Sequence, residues 1–330
     1  MARTRRGGAG RLTAAPKCHK FMPRYPLNFR FSCLVLLGLG LVSLGLPAAE
    51  EPGWVKAPKA ALVQAPAANE TSGLAATVGG GDGLWLVNDS GGQPMLYLAD
   101  RDGADRGKIK VEPATNLDWE DLAGFSWQGK PYLLIADVGD NEGRRASCML
   151  YVVPEPAMPP AGGLLSGTVK PAWTIEFRYP DGPRDCEAVA VDALRGKVIL
   201  LSKRTVPPAV YELPLAPGKG GVVTALKIGT TDVTPPPGGF PHPYGAQPTG
   251  LDLSADGTLA AVVTYLGVFV FPKNRGESWA EAFARKPVLL PRHGLFQAES
   301  IAFSRDGKSL VVVSEGARSP LVVYQLQRKN

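Results

Sequence analysis

A short motif returns five times along this chain: Ser72-Gly-Leu-Ala, Glu120-Asp-Leu-Ala, Glu187-Ala-Val-Ala, Thr249-Gly-Leu-Asp and Glu299-Ser-Ile-Ala. Each copy is followed by a turn pair ending in glycine (Asp82-Gly83, Gln128-Gly129, Arg195-Gly196, Asp256-Gly257, Asp306-Gly307). Such pairs supply the positive φ that tight hairpins require. A second apolar run then ends in Asp89, Asp137, Lys203, Tyr265 or Glu315, at 17, 17, 16, 16 and 16 residues from the head of its motif. A third run carries an aromatic residue: Tyr97, Tyr151, Tyr211, Phe269 or Tyr324. Fourth runs are readable at 108–111, 173–179, 222–228 and 287–290. Self-similarity of this kind marks a repeat architecture.

Four antiparallel strands repeated about a centre describe a propeller blade, so the expectation is an all-β, five-bladed β-propeller. A sixth blade hidden in the longer spacings is the alternative, and a two-sheet sandwich would not demand equal repeats. The fifth unit stops after its third strand. Residues 54–64 are therefore expected to supply the missing strand and close the ring, which removes the exposed edges. Only 277–286 reads as a short helix. The segment 231–248, with Pro235-Pro-Pro-Gly-Gly, is too rich in proline for regular structure and reads as a surface loop.

The first 49 residues differ in kind. They hold eight basic residues and no acidic one, then an apolar run at 31–46 closing in Pro47-Ala48-Ala49. This layout predicts a secretory signal peptide over 1–49, with Met22 a candidate true start, and a single propeller domain over 50–330. An uncleaved anchor is the alternative, although about 20 apolar residues are needed to span a bilayer. Export to the periplasm or medium follows. The formal charge of +6 includes the eight leader cations, so 28 basic and 30 acidic residues remain, a net −2. Nucleic acid is thereby excluded as an expected partner, and a monomer free of the membrane after cleavage is expected. Cys148 and Cys186 could pair in an oxidising compartment or stay as two buried thiols.

Within a blade, the start of the first strand and the end of the second share one face. Residues at both places should converge at one mouth of the central channel. The set is Glu70, Ser72 and Asp89; Asp118, Glu120 and Asp137; Asp185, Glu187 and Lys203; Gln247, Thr249 and Tyr265; Gln297, Glu299 and Glu315. Nine are carboxylates and one is a lysine. So many like charges cannot all remain ionised and unpaired. A bound hard cation, compensation by Arg and Lys, or solvation at a wide mouth would each resolve this. Calcium takes six to eight oxygen ligands and suits such a ring, whereas no Cys-His spacing suits zinc. Asp118, Glu120, Asp137, Asp185, Glu187 and Glu299 are the expected metal ligands. Asp89, Asp140, Arg144, Arg145, Lys203, Tyr265 and Glu315 are the expected contacts to a small polar or anionic ligand or to an envelope or extracellular protein. No organic cofactor is expected. His242 and His293 read as surface-loop histidines on the same side, with acid–base work as the alternative.

Asp118-Trp-Glu120-Asp-Leu-Ala, Asp185-Cys-Glu187-Ala-Val-Ala and Ala298-Glu299-Ser-Ile-Ala-Phe with Ser314-Glu315-Gly resemble the "D-x-E-g-[ILV]-a" and "s-E-G" repeats of phytase-like secreted β-propellers. The resemblance runs from about Ser72 to the end. It implies the propeller fold, calcium in an acidic channel mouth, and hydrolysis of phosphomonoesters by a metal-activated water. By position the six acids above would be the calcium ligands. The chain departs from the propeller phytases in lacking their "D-A-x-D-D-P-A-x-W" run and in having Gln247, Thr249 and Tyr265 where a blade could offer acids.

Overall fold

The computed structural model describes residues 53–58, 61–218, 220–235 and 242–327. The expected leader and the centre of the proline-rich loop lie outside the described residues. The chain enters on β1 (Gly53–Lys56) and β2 (Ala61–Leu62). Blade one is β3 (Thr71–Ala76), β4 (Gly83–Asn88), β5 (Met95–Asp100) and β6 (Asp105–Val111). Blade two is β7 (Trp119–Trp127), β8 (Lys130–Asp137), β9 (Cys148–Pro154) and, after an excursion through β10 (Thr168–Val169), β11 (Trp173–Arg178). Blade three is β12 (Cys186–Asp192), β13 (Lys197–Ser202), β14 (Ala209–Pro214) and, past β15 (Val223–Thr224), β16 (Leu226–Thr230). Blade four is β17 (Pro248–Leu253), β18 (Leu259–Thr264), β19 (Gly267–Pro272) and, beyond α1 (Trp279–Phe283), β20 (Val288–Leu289). Blade five is β21 (Ala298–Phe303), β22 (Ser309–Ser314) and β23 (Pro320–Gln327).

The first strands of successive blades are neighbours, and β21 returns to β3. The ring is thus a five-bladed β-propeller. β1 runs antiparallel to β23, with Gly53 opposite Gln327 and Lys56 opposite Tyr324, so the N-terminal strand completes the last blade as expected. One expected strand divides. Residues 222–228 do not form a single fourth strand: Val223–Thr224 joins β11 of blade two in parallel, while Leu226–Thr230 serves blade three. Likewise β10 lies parallel to β6 of the preceding blade. Both extra strands cover an outer edge that would otherwise offer unpaired backbone groups. The short helix is real, with a capping box in which Ser278 and Glu281 each bond the other's backbone N–H.

Apolar residues near the middle of each inner strand, Leu74, Leu122, Val189, Leu251 and Ile301, are all at most 1% exposed. Truncating any one to Ala should cost about 2–5 kcal/mol. Blades one and two approach closely at Gly73, where a Cβ would stand 2.7 Å from the backbone of Asp121 and Leu122.

Every inner strand also bulges at the same place. The register skips Ser72, Glu120, Glu187, Thr249 and Glu299, the head residue of all five motifs. A bulge leaves one residue unpaired and re-aims its side chain. In blades one and four that residue is a hydroxyl donating to the next blade: Ser72 Oγ to Trp119 O at 2.6 Å and Thr249 Oγ1 to Ala298 O at 2.7 Å. In the other three it is a glutamate.

One residue beyond the blade-two bulge, Asp121 is fully buried on the inner strand. Its Oδ2 accepts the N–H groups of Val189 at 2.7 Å and Leu251 at 3.1 Å, and its Oδ1 accepts that of Leu122 at 2.8 Å. One carboxyl group therefore ties the inner strands of blades two, three and four. Burial holds its pKa well above the usual carboxylate range, against the opposing pull of these N–H donors. We expect Asp121→Ala to lose on the order of 3 kcal/mol or more in urea unfolding, because two inter-blade donors are orphaned. Asp121→Asn, which keeps an acceptor oxygen, should lose less; equal losses would show that the bridge is not what holds these strands.

Candidate functional site

The mouth begins with Glu120, placed by the β7 bulge. It is 4% exposed, and no hydrogen-bond donor among the described residues reaches its carboxylate. Two sets of acids meet at it. Oxygens of Asp89, Asp118 and Glu120 lie within 4.8 Å of one another, and so do oxygens of Glu120, Asp185 and Glu187. Glu120 belongs to both. Gly139 closes over this point, since a Cβ there would be 2.3 Å from Glu120 Oε1 and 2.4 Å from Asp118 Oδ2.

The two sets differ in how their charge is met. In the second, Glu187 forms an ion pair with Lys203. Asp185 accepts from Arg204 Nε at 2.6 Å and from the Asp140 N–H at 2.9 Å. Arg204 adopts a left-handed φ of 59°, uncommon for a side-chain-bearing residue, while its guanidinium bonds both Asp185 and Asn141. In the first set no cationic side chain forms an ion pair with Asp89, Asp118 or Glu120 among the described residues. Arg145, the nearest candidate, is bound to Asp137 at 2.8 Å and to the carbonyls of Asp137 and Gly139.

Burial raises acids of both sets. Burial, then the charges of Glu187, Asp89 and Asp118, push Glu120 well above the usual carboxylate range, opposed by Lys203. Burial and the adjacent Asp89 carboxyl raise Asp118 to about 7. Glu187 is raised to about 7 by burial, with Lys203 pulling the other way. Glu299 lies in neither set. It accepts the Tyr265 hydroxyl at 2.8 Å, and burial with Glu187 and Glu315 nearby lifts it to about 9. Tyr265 in turn accepts from Lys203 at 3.2 Å, and Gln297 donates to Glu315 at 2.6 Å.

Other expected site residues are occupied by the scaffold. Asp137 receives the N–H groups of Leu117 and Asp118 besides Arg145. Asp140 caps its own loop by accepting the N–H groups of Arg144 and Arg145 at 2.8 and 2.9 Å. Arg144 is largely exposed, paired with Glu142, and flanks an open cleft of about 360 Å³ with Leu117, Asp118 and Asn141. Of the histidines, His242 lies with its ring tilted against Tyr265 at the mouth, 4.6 Å between centroids. His293 is not a surface residue. It is 5% exposed, its Nδ1 accepts from Leu295 N and its Nε2 meets Thr264 O, and burial lowers its pKa to about 4. Cys148 and Cys186 are both buried free thiols, the first pushed to about 12 by burial.

Two inner-strand acids, the buried Asp121 and the half-buried Asp252, were not anticipated. Asp121 and Asp252 occupy inner-strand positions that hold Gly, Ala or Ser in the other blades, so alignment of the five motifs is the signal that marks them. Asp252 accepts from Phe303 N at 2.8 Å and tops a larger cavity of about 580 Å³ among the hairpin turns at the opposite end of the channel. That cavity contains none of the mouth acids.

The fold and this constellation define a five-bladed β-propeller with an acidic channel mouth. No family model matches the chain, and no curated protein matches it. Among solved structures, a gluconolactonase of Xanthomonas campestris aligns over 78% of this chain and 72% of its own at 12% identity and a TM-score of 0.43. A likeness of that size carries no argument about activity.

Acids whose pKa values rise on folding bind more protons in the native state than in the unfolded one, so stability falls as pH climbs. The window opens near the unfolded carboxylates at about 4 and extends to about 9, where Glu299 ionises. In chelator, the Tm should therefore drop between about pH 5 and pH 9. Glu120→Gln should flatten that slope; an unchanged slope would show that Glu120 is not held protonated by its surroundings.

Proposed function

We propose that this protein is an exported propeller whose channel mouth binds one hard divalent cation, calcium by preference, at Asp89, Asp118 and Glu120, and through it a small polar or anionic ligand. The observation that carries the reading is Glu120: a carboxylate only 4% exposed that no donor reaches among the described residues, within 4.8 Å of two further acids that no cationic side chain pairs there. Leaving it so is costly unless the group is protonated or meets a cation. Carboxylate oxygens from the end of β4 and the start of β7 give the oxygen-only shell that calcium accepts. The second set already has Lys203 and Arg204.

The resemblance to phytase-like propellers supports a second reading, a cation-dependent phosphomonoester hydrolase. The cleft beside Asp118, flanked by the exposed Arg144, favours it. A guanidinium can grip phosphate through two parallel hydrogen bonds. A cation bound at Asp118 would supply charge stabilisation and a more acidic water. Arg144 would orient the anion, and Gly139 keeps that wall free of side chains.

Calorimetric titration of chelator-treated protein with calcium decides the matter. We expect about one calcium per chain and a rise in Tm, worth about 2.7 kcal/mol of stability at a hundredfold excess over Kd. Asp118→Asn should weaken binding roughly tenfold or more, the equivalent of about 1.4 kcal/mol, and Glu120→Gln should abolish it. No heat and no Tm change would sink the cation reading. Turnover of p-nitrophenyl phosphate with calcium, lost in Arg144→Ala, would select the hydrolase.

A further inference from the structure

The acid set Glu120, Asp185 and Glu187 has the same compactness as the set proposed to hold calcium, yet it contains a tethered cation. Lys203 is only 5% exposed. Its ammonium pairs with Glu187, lies 3.2 Å from the Tyr265 hydroxyl, and feels the charges of Glu299 and Glu120 as well. Burying an ammonium is costly unless several acceptors surround it. Here they come from blades two, three, four and five. The homologous position in the other blades is Asp89, Asp137, Tyr265 or Glu315, so a cation at this point is peculiar to blade three.

We propose that Lys203 is a resident counter-ion that occupies a second cation site and so limits the mouth to one exchangeable metal. The proposal rests on the reading that the Asp89, Asp118 and Glu120 set binds calcium. The geometry behind it is independent of that reading. Oxygens of Glu120, Asp185 and Glu187 already lie within 4.8 Å of one another. Each Asp185 oxygen accepts one hydrogen bond, and a carboxylate oxygen has a second lone pair. Taking away the ammonium leaves a set of three acids with Arg204 as their one ion-pair partner among the described residues. A divalent ion can then replace the lysine, with Tyr265 and Glu299 left to bond each other. The one-sided placement also explains why Glu299 stands outside both sets: it serves Tyr265 and, through the field, Lys203.

Calcium titration of Lys203→Gln should show two ions per chain where the wild type shows one. Lys203→Arg should keep one, because the charge is retained. Asp118→Asn combined with Lys203→Gln should bind one ion, at the newly opened set. Should Lys203→Gln fail to fold alone, Lys203→Gln with Glu299→Gln removes the surplus buried charge and leaves the three acids intact. A folded Lys203→Gln protein, single or double, with the wild-type number of ions would overturn the proposal. If the wild type binds none and Lys203→Gln binds one, the counter-ion role stands and the reading of the first set fails. If neither binds, both fail.

Discussion

The ring depends on what happens at its axis, where the inner strands pass each other edge to edge with too little room for large side chains. Asp121 answers this with a single carboxyl group that accepts backbone donors from blades two, three and four. Those N–H groups belong to inner strands and have no water to turn to. A carboxyl group is short enough to fit and has enough lone pairs for all three. Asp252 does the same between blades four and five through Phe303 N. Serine and threonine at the bulges complete the set at the mouth level. Polar side chains, as much as apolar packing, thus determine which blade meets which.

The same bulge that frees Ser72 and Thr249 for this work frees three glutamates for a different one. A hydroxyl at the bulge finds a carbonyl on the adjacent blade and is satisfied. A glutamate places its oxygens two bonds farther from the backbone and carries charge, so it reaches past the backbone into the mouth. Function-bearing chemistry is therefore a variation on a structural device, and the choice of residue at one repeated position decides which role a blade takes. At the bulge itself, blades two, three and five offer acids, while blades one and four offer hydroxyls that lock the ring.

Much of this was legible in the sequence because repetition amplifies weak signals. The constant step from each motif head to the end of the second strand put the mouth residues on one face, and the missing fourth strand of blade five pointed to residues 54–64. β10 and β15 were not legible. Two-residue strands such as Thr168–Val169 have no period to detect, and their partners lie in the preceding blade. His293 was misplaced for a similar reason. Its burial depends on Thr264 O, a long-range partner that a polar local context cannot reveal. Asp121 was overlooked although the signal existed: Gly73, Ala188, Gly250 and Ser300 at the equivalent positions make the acid the exception. Asp137 and Asp140 carry the right charge at the right end of a strand, but loop N–H groups and Arg145 already satisfy them.

Charge then separates the two sides of the mouth. A carboxylate can be stabilised by donors from the chain, by a tethered cation, or by a mobile one. The chain's own N–H groups take Asp137 and Asp140, the lysine and arginine of blade three take Glu187 and Asp185, and among the described residues Asp89, Asp118 and Glu120 pair with no cationic side chain, Asp89 accepting the N–H of Ser90. Proton uptake is the remaining internal remedy, and it is the one expressed in the raised pKa values of Asp118 and Glu120. A proton and a divalent cation compete for the same lone pairs. The side of the mouth that the chain leaves unpaired is therefore the side whose occupancy should respond to both pH and metal, while on the other side Lys203 stands where a metal would.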